Sequence, residues 1–233
     1  MIIIGHRGAA GLAPENTLAS FKAALQAGVD WIEFDVRATR DGRVVLSHDP
    51  HTLRTGLRLH IISRSDFATL QQVKLKNGNT IPTLAQAFAT IGTKANINVE
   101  IKSNGCSEAV VQQIQKAIAD GARYDNFMVS SFKASILREV HHLDPKISLA
   151  LLHAINPYKF LHLRGLRVQA VGFSHKRLPA KAVHQAELRD LLVYTYTIND
   201  PKIAERLAED RNVKAIVTNR PDRMQGIRTQ KSS

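Results

Sequence analysis

The chain predicts an α/β fold, a parallel sheet covered by helices, and three observations carry that expectation. Short β-rich runs alternate with stretches of helical period almost from end to end. A length of 233 residues suits one large domain, and α/β barrels of this size form single units. Ionisable residues recur where the strand-like runs end, as they do when the loops of a barrel gather a site at one face. From the alternation alone, a closed barrel and an open doubly wound sheet both remain.

The strand candidates, in order, are Ile2–Gly5, Trp31–Val36, Val44–Ser47, Ile97–Ile101, Met128–Ser131, Ser148–Leu152, Ala170–Phe173, Leu192–Thr197 and Ala215–Thr218. Helical period marks Thr17–Ala27, Leu84–Thr90, Glu108–Ala119 and Ala134–Leu143 between them. Pro14-Glu15-Asn16-Thr17 supplies turn and cap chemistry for the first helix, and Gly28 closes it. Ser107 is the expected N-cap of the helix that follows it. Pro201 suits the first turn of Pro201–Asp210, with Asn199 or Asp200 as cap. Nine strand-like runs compete for eight barrel places. The link from Val36 to Val44 is too short for a helix, and Asp41-Gly42 reads as a turn, so Val44–Ser47 follows a bare crossover or pairs irregularly. Weakly periodic, basic residues 51–83 read as a small insertion over one end of the barrel. The expected domain spans 1–224, with a frayed tail at 225–233.

Hydrophobic content of 44% and charged content of 22% are those of a soluble globular protein. No apolar run approaches the roughly 20 residues that cross a bilayer, and no stable membrane insertion is expected. Met1-Ile2-Ile3-Ile4 runs straight into Gly5-His6-Arg7, without the pattern of a secretory leader. A single cysteine, Cys106, excludes an internal disulfide. A cytoplasmic protein, monomeric or homodimeric, is the expectation. The net charge of +12 favours an anionic partner. The basic residues are scattered and do not alternate with exposed aromatics, so a nucleic-acid groove is not expected. Gly5-His6-Arg7-Gly8-Ala9-Ala10-Gly11 matches neither the dinucleotide fingerprint nor a P-loop.

In Trp31-Ile32-Glu33-Phe34-Asp35-Val36, Glu33 and Asp35 share one face of the strand while Ile32, Phe34 and Val36 take the other. Paired carboxylates on an apolar strand suit a hard divalent cation such as magnesium, calcium or manganese; alone, they also suit a solvated strand face. His6-Arg7 follows the first strand, His48-Asp49 the third, and Glu100 and Lys102 end the fourth with the same alternation. Any one of these is ordinary at a strand end, but their coincidence points to a site. His141, His142, His153, His162, His175 and His184 show no such placement and read as surface or packing residues.

The order His6-Arg7-Gly8-Ala9, Pro14-Glu15-Asn16-Thr17, Glu33-Phe34-Asp35-Val36, His48-Asp49, Ile81-Pro82-Thr83-Leu84, Glu100-Ile101-Lys102 and Thr218-Asn219-Arg220-Pro221 resembles the glycerophosphodiester phosphodiesterase family. The resemblance covers almost the whole chain and implies a (β/α)8 TIM barrel. It implies a divalent metal on Glu33, Asp35 and Glu100, acid–base work by His6 and His48, and phosphate contacts from Arg7 and Lys102. Tyr196 stands where the family usually has tryptophan, and would line the substrate pocket; Asn219 stands where it commonly has aspartate. The implied reaction is hydrolysis of a small glycerophosphodiester to sn-glycerol 3-phosphate and an alcohol, through a cyclic phosphate. Two rival expectations are a phospholipase-like enzyme acting on lipid head groups and a non-catalytic phosphate- or nucleic-acid-binding module. The first would need an exposed apolar rim, for which Phe160-Leu161 and Leu57–Ile62 are the candidates. The second has no use for two histidines.

Overall fold

In the computed structural model, residues 1–76, 78–153, 160, 163, 165–178 and 180–227 are described. Among the described residues nine strands form: β1 (Ile2–Gly5), β2 (Trp31–Ala38), β3 (Val44–Leu46), β4 (Asn96–Ile101), β5 (Phe127–Ser131), β6 (Ser148–His153), β7 (Ala170–Ser174), β8 (Leu192–Tyr196) and β9 (Val213–Thr218). Eight run parallel in the order β1-β9-β8-β7-β6-β5-β4-β2, and pairing of β1 with β2 closes them into a (β/α)8 barrel. The ninth, β3, is antiparallel to β2, with Val36 opposite Leu46 and Ala38 opposite Val44. The short link at Asp41-Gly42 is therefore a hairpin turn and not a crossover. The helices are α1 (Leu18–Gln26), α2 (Phe67–Gln71), α3 (Leu84–Ile91), α4 (Ser107–Ala119), α5 (Ala134–Leu143), α6 (Ala180–Glu187) and α7 (Pro201–Glu209). None of the described helices is long and apolar enough to cross a membrane.

Strand alternation divides the core into two layers. Ile32, Phe34 and Val36 of β2 join Ile97, Val99 and Ile101 of β4 in the layer beneath the helices. Ile4, Met128, Leu152, Tyr194 and Val217 fill the barrel interior, with Trp31 against them. Glu33 and Asp35 therefore point inward with Trp31, as their parity requires. Phe34 is wholly buried between Phe21 of α1, at 5.4 Å, and Phe88 of α3, at 6.4 Å. It fixes the strand that carries both acids.

Helix starts follow local chemistry. Thr17 caps α1 by accepting from Ser20 N, and Asp200 caps α7 ahead of Pro201. Thr83 and Gln86 form a reciprocal capping box on α3, which gives Ile81-Pro82-Thr83-Leu84 a structural role. The cap expected at Ser107 is not formed: Cys106 is the cap position, and the Ser107 hydroxyl donates to Glu139 of α5 instead. Residues 51–83 are more than a basic loop, because Ile62, Leu70, Val73, Leu75 and Ile81 build a small core against Val45 of β3. At the C-terminus, Gln225–Ile227 form a short turn that buries Ile227; residues 228–233 of the expected tail lie outside the described residues.

Phe34→Ala is expected to destabilise the protein by about 3–5 kcal/mol, through lost burial and the cavity left between two helices. Chemical denaturation should show this as a lower midpoint with an unchanged slope.

Candidate active site

Glu33, Asp35 and Glu100 come from adjacent strands in register, with Asp35 opposite Glu100 and Glu33 opposite Asn98. One oxygen from each lies within 4.8 Å of the others, and all three residues are buried. Two cations approach them. Lys102 Nζ stands 2.5 Å from Glu100 Oε1 and 3.2 Å from Asp35 Oδ1, and Arg7 Nε is 3.3 Å from Asp35 Oδ2. Asn16 Nδ2 donates to Asp35 Oδ2 at 2.9 Å, and Arg7 N donates to Glu33 Oε2 at 2.8 Å. Glu33 Oε1, Asp35 Oδ1 and Glu100 Oε1 nevertheless remain buried without an aligned hydrogen bond. Three such oxygens, one per residue, are the donor set a hard divalent cation takes, so the residues fit a metal.

Protonation reflects the crowding. Burial, then Asp35 and Glu100, push Glu33 well above the ordinary carboxylate value. Burial and Asp35 raise Glu100 to about 7. Burial also opposes the charge on Asp35, but Lys102 and Arg7 outweigh it and hold that group below its usual value. Without a further positive charge, Asp35 is held ionised at neutral pH while Glu100 stands near its midpoint.

The β1–α1 loop places His6 and Arg7. Gly8 adopts φ +85, and a Cβ there would lie 2.2 Å from Ser20 Oγ and 2.7 Å from the Ser20 backbone. That close approach lets Ser20 Oγ donate to Arg7 O and accept from Ala9 N, pinning the loop to α1. Arg7 Nη1 pairs with Glu15 at 2.7 Å. His6 Nδ1 lies 2.6 Å from Asn219 Oδ1. Only an acceptor faces it, so Nδ1 carries the proton and Nε2 keeps its lone pair. Burial and Arg7 lower the His6 pKa to about 4.

His48 follows the strand whose pairing the sequence left open between a bare crossover and an irregular one. It does not end a parallel strand but lies on the return leg of the β2–β3 hairpin, where Ser47 N donates to Asp35 O. Arg37 of β2 clamps the His48 carbonyl with Nε and Nη2 at 2.9 and 2.6 Å. His48 Nδ1 is 2.7 Å from Asp49 Oδ1, and Arg54 Nε meets Asp49 Oδ2 at 2.6 Å. Burial disfavours the Asp49 charge, yet Arg54 and His48 draw it down to about 2. Burial also lowers His48, with Asp35 and Asp49 acting against that shift.

His6, Arg7, Glu33, His48, Glu100, Lys102 and Tyr196 all line one pocket of about 190 Å³. Phe132, Leu152 and Val217 give it an apolar wall. Tyr196 Oη donates to His153 O at 2.9 Å, and its ring meets Phe132 edge-on at 6.3 Å. Among the other histidines, His153 stacks on Phe173 and His184 pairs with Glu187 at the surface, while His162 lies outside the described residues. Sequence reasoning missed Phe132, Arg37 and Arg54. It also read Glu15 and Asn16 as turn chemistry, although Asn16 with φ 54 both donates to the Asp35 carboxylate and accepts from Asp35 N.

Residues 6–223 match the model of the glycerophosphoryl diester phosphodiesterase family. A glycerophosphodiester phosphodiesterase of Caldanaerobacter subterraneus is 30% identical over 236 residues, covering 95% of each chain. One from Bacillus subtilis is 28% identical, over 95% of this chain and 84% of that protein. Among solved structures, an Oleispira antarctica phosphodiesterase in complex with the product sn-glycerol-3-phosphate superposes with a TM-score of 0.86 at 28% identity. That match covers 97% of this chain and 96% of that one.

Since Glu100 must ionise to ligate a cation, metal binding should release protons below pH about 7. Its raised value makes the metal-free folded state bind more protons than the unfolded chain, so this group costs stability as pH rises through its folded pKa. A metal reverses that cost. The rise in melting temperature on adding magnesium or calcium to chelator-treated protein is expected to grow from pH 5.5 to 8, as calorimetry can measure. In Glu100→Gln that growth should be smaller, with Glu33 supplying what remains.

Proposed function

Because the chain belongs to the glycerophosphoryl diester phosphodiesterase family, we propose that this pocket hydrolyses small glycerophosphodiesters to sn-glycerol 3-phosphate and an alcohol, with a divalent metal and two histidines. The observation that carries the reading is the convergence of Glu33, Glu100, two cations and two imidazoles on one pocket from distant parts of the chain, with Asp35 clustered behind the two acids. Glu33, Asp35 and Glu100 would hold the metal, which when bound supplies positive charge to a phosphoryl oxygen. Arg7 and Lys102 line the same pocket and offset the negative charge that grows as phosphorus becomes pentacoordinate. Phe132 and Tyr196 leave an apolar wall for the carbon skeleton of the substrate.

The two histidines differ in their partners, and the difference supports a division of their work. His6 rests on the neutral amide of Asn219 and is uncharged at neutral pH, with Nε2 free to accept a proton. It is the base that takes the proton from the attacking hydroxyl. His48 rests on the Asp49 carboxylate, which opposes the burial that lowers its pKa and steadies the imidazolium when it forms. It is the acid that protonates the departing alkoxide. With the glycerol 2-hydroxyl as first nucleophile, a cyclic phosphate forms and the alcohol leaves; water then opens the ring while the histidines exchange roles.

His6→Ala, His48→Ala and Glu33→Ala are expected to lose about 10²–10⁴-fold or more in kcat on glycerophosphocholine, with circular dichroism and melting cooperativity retained. A glycerophosphodiester of p-nitrophenol needs no acid for its leaving group. On that substrate His48→Ala should recover much of its rate in p-nitrophenol release while His6→Ala should not. Equal recovery by both would reject the assignment, and full activity after metal stripping would reject the three ligands.

A further inference from the structure

The insertion between β3 and α3 carries a surface that the proposed reaction does not use. Four of the large hydrophobic side chains exposed among the described residues fall within residues 53–61: Leu53 at 58%, Leu57 at 69%, Leu59 at 58% and Ile61 at 39%. Leu57, Leu59 and Ile61 alternate with Arg58 and His60. The stretch is built and braced. Thr52 N donates to His60 O at 3.0 Å, His60 N donates to Thr52 Oγ1 at 2.9 Å, and Leu57 N donates to Lys74 O at 3.1 Å. Ile62, Leu70, Val73 and Leu75 form a small core within the same insertion, so these leucines are exposed although an apolar interior is close at hand.

The charge around them is one-sided. Arg58, Arg64, Lys74 and Lys76 are exposed and form no ion pair among the described residues. Asp66 is the single acid within residues 51–83, and Arg40 engages it. Leu57, Arg58, His60 and Lys74 line a shared groove of about 590 Å³. The surface also stands beside the pocket mouth. Arg54, in the same stretch, grips Glu15 with both terminal nitrogens at 2.6 Å and Asp49 with Nε at 2.6 Å, and those acids hold Arg7 and His48.

We infer that this surface docks the protein on an anionic lipid bilayer. Aliphatic side chains interleaved with unpaired cations match the two layers of a membrane interface, head-group phosphates outside and acyl carbon beneath. A nucleic acid would engage the cations but leave four leucine-type side chains wet, and the patch offers no exposed aromatic for bases to stack on. A second copy of the chain would bring like charges face to face. Attachment is peripheral, since no described helix can span a bilayer. The inference goes beyond the proposed reaction and stands independently of the substrate.

Sedimentation of the full chain with vesicles tests it. Phosphatidylcholine vesicles containing phosphatidylglycerol should bind the protein at least about tenfold more tightly than pure phosphatidylcholine vesicles, and added salt should weaken the binding. The double variants Leu57→Ser/Leu59→Ser and Arg58→Glu/Lys74→Glu should each lose about tenfold or more in affinity. Their turnover of soluble glycerophosphocholine should match the parent, which reports intact folding and keeps the hydrolase reading separate. No binding to anionic vesicles, or equal binding by the parent and both variants, overturns the inference. So does a concentration-dependent dimer, seen by light scattering, that Leu57→Ser/Leu59→Ser dissolves while vesicle binding persists.

Discussion

Mutual repulsion among Glu33, Asp35 and Glu100 is the constraint around which this molecule is arranged. Two unit charges 4 Å apart repel by about 4 kcal/mol at an effective dielectric of 20, and here three carboxylates gather within 4.8 Å in a buried pocket. That load is a large fraction of the stability of an ordinary domain. Part of it is relieved by protonation, as the raised values of Glu33 and Glu100 record. The rest is met by Lys102, Arg7 and the Asn16 amide, all directed at Asp35. A divalent cation would complete the compensation, so the features that make the trio costly without metal also make it a strong ligand set.

The surrounding loops follow from this demand. Arg7 reaches Asp35 because the β1–α1 loop is folded back on Ser20, and Gly8 is the residue that permits the approach. Asn16 reaches it because the same loop closes just ahead of the Thr17 cap. Lys102 is delivered directly by β4, one residue beyond its end. Glu15 then binds both Arg7 and Arg54, so the insertion is coupled to the charge network and does not merely cover it. The barrel supplies fixed positions for the acids, and the loops supply the charge that lets them coexist.

Strand periodicity made most of this legible before any coordinates. Glu33 and Asp35 share a face because residues two apart in a strand must, and Glu100 with Lys102 repeats the rule one strand away. Recurrent strand-end chemistry led to the place in the barrel where the three acids cluster. The place of His48 was less visible, because an antiparallel return leg and a parallel strand look alike in a three-residue apolar run. Arg37 and Arg54 were hidden for a different reason. Their partners, the His48 carbonyl for Arg37 and the Glu15 and Asp49 carboxylates for Arg54, are set by hairpin and insertion geometry and leave no local pattern in the chain. Ser107 shows the opposite error, a good cap residue diverted by a tertiary partner, Glu139.

The same limit applies to the two imidazoles, which the sequence presents as equivalents. His6 and His48 both follow apolar runs, and nothing in spacing tells one from the other. Their hydrogen-bond partners do. Asn219 is more than two hundred positions from His6 and reaches it because β9 pairs with β1 at the barrel seam. An amide there fixes the ring without drawing a second proton to it, and burial beside Arg7 keeps it neutral. Asp49 is adjacent in sequence to His48, and Arg54 keeps that carboxylate ionised so that it favours the protonated ring. Closure of the barrel thus determines one partner and a local turn the other. The chemical asymmetry of the pair therefore has two origins, the barrel seam for His6 and the neighbouring residue in the chain for His48.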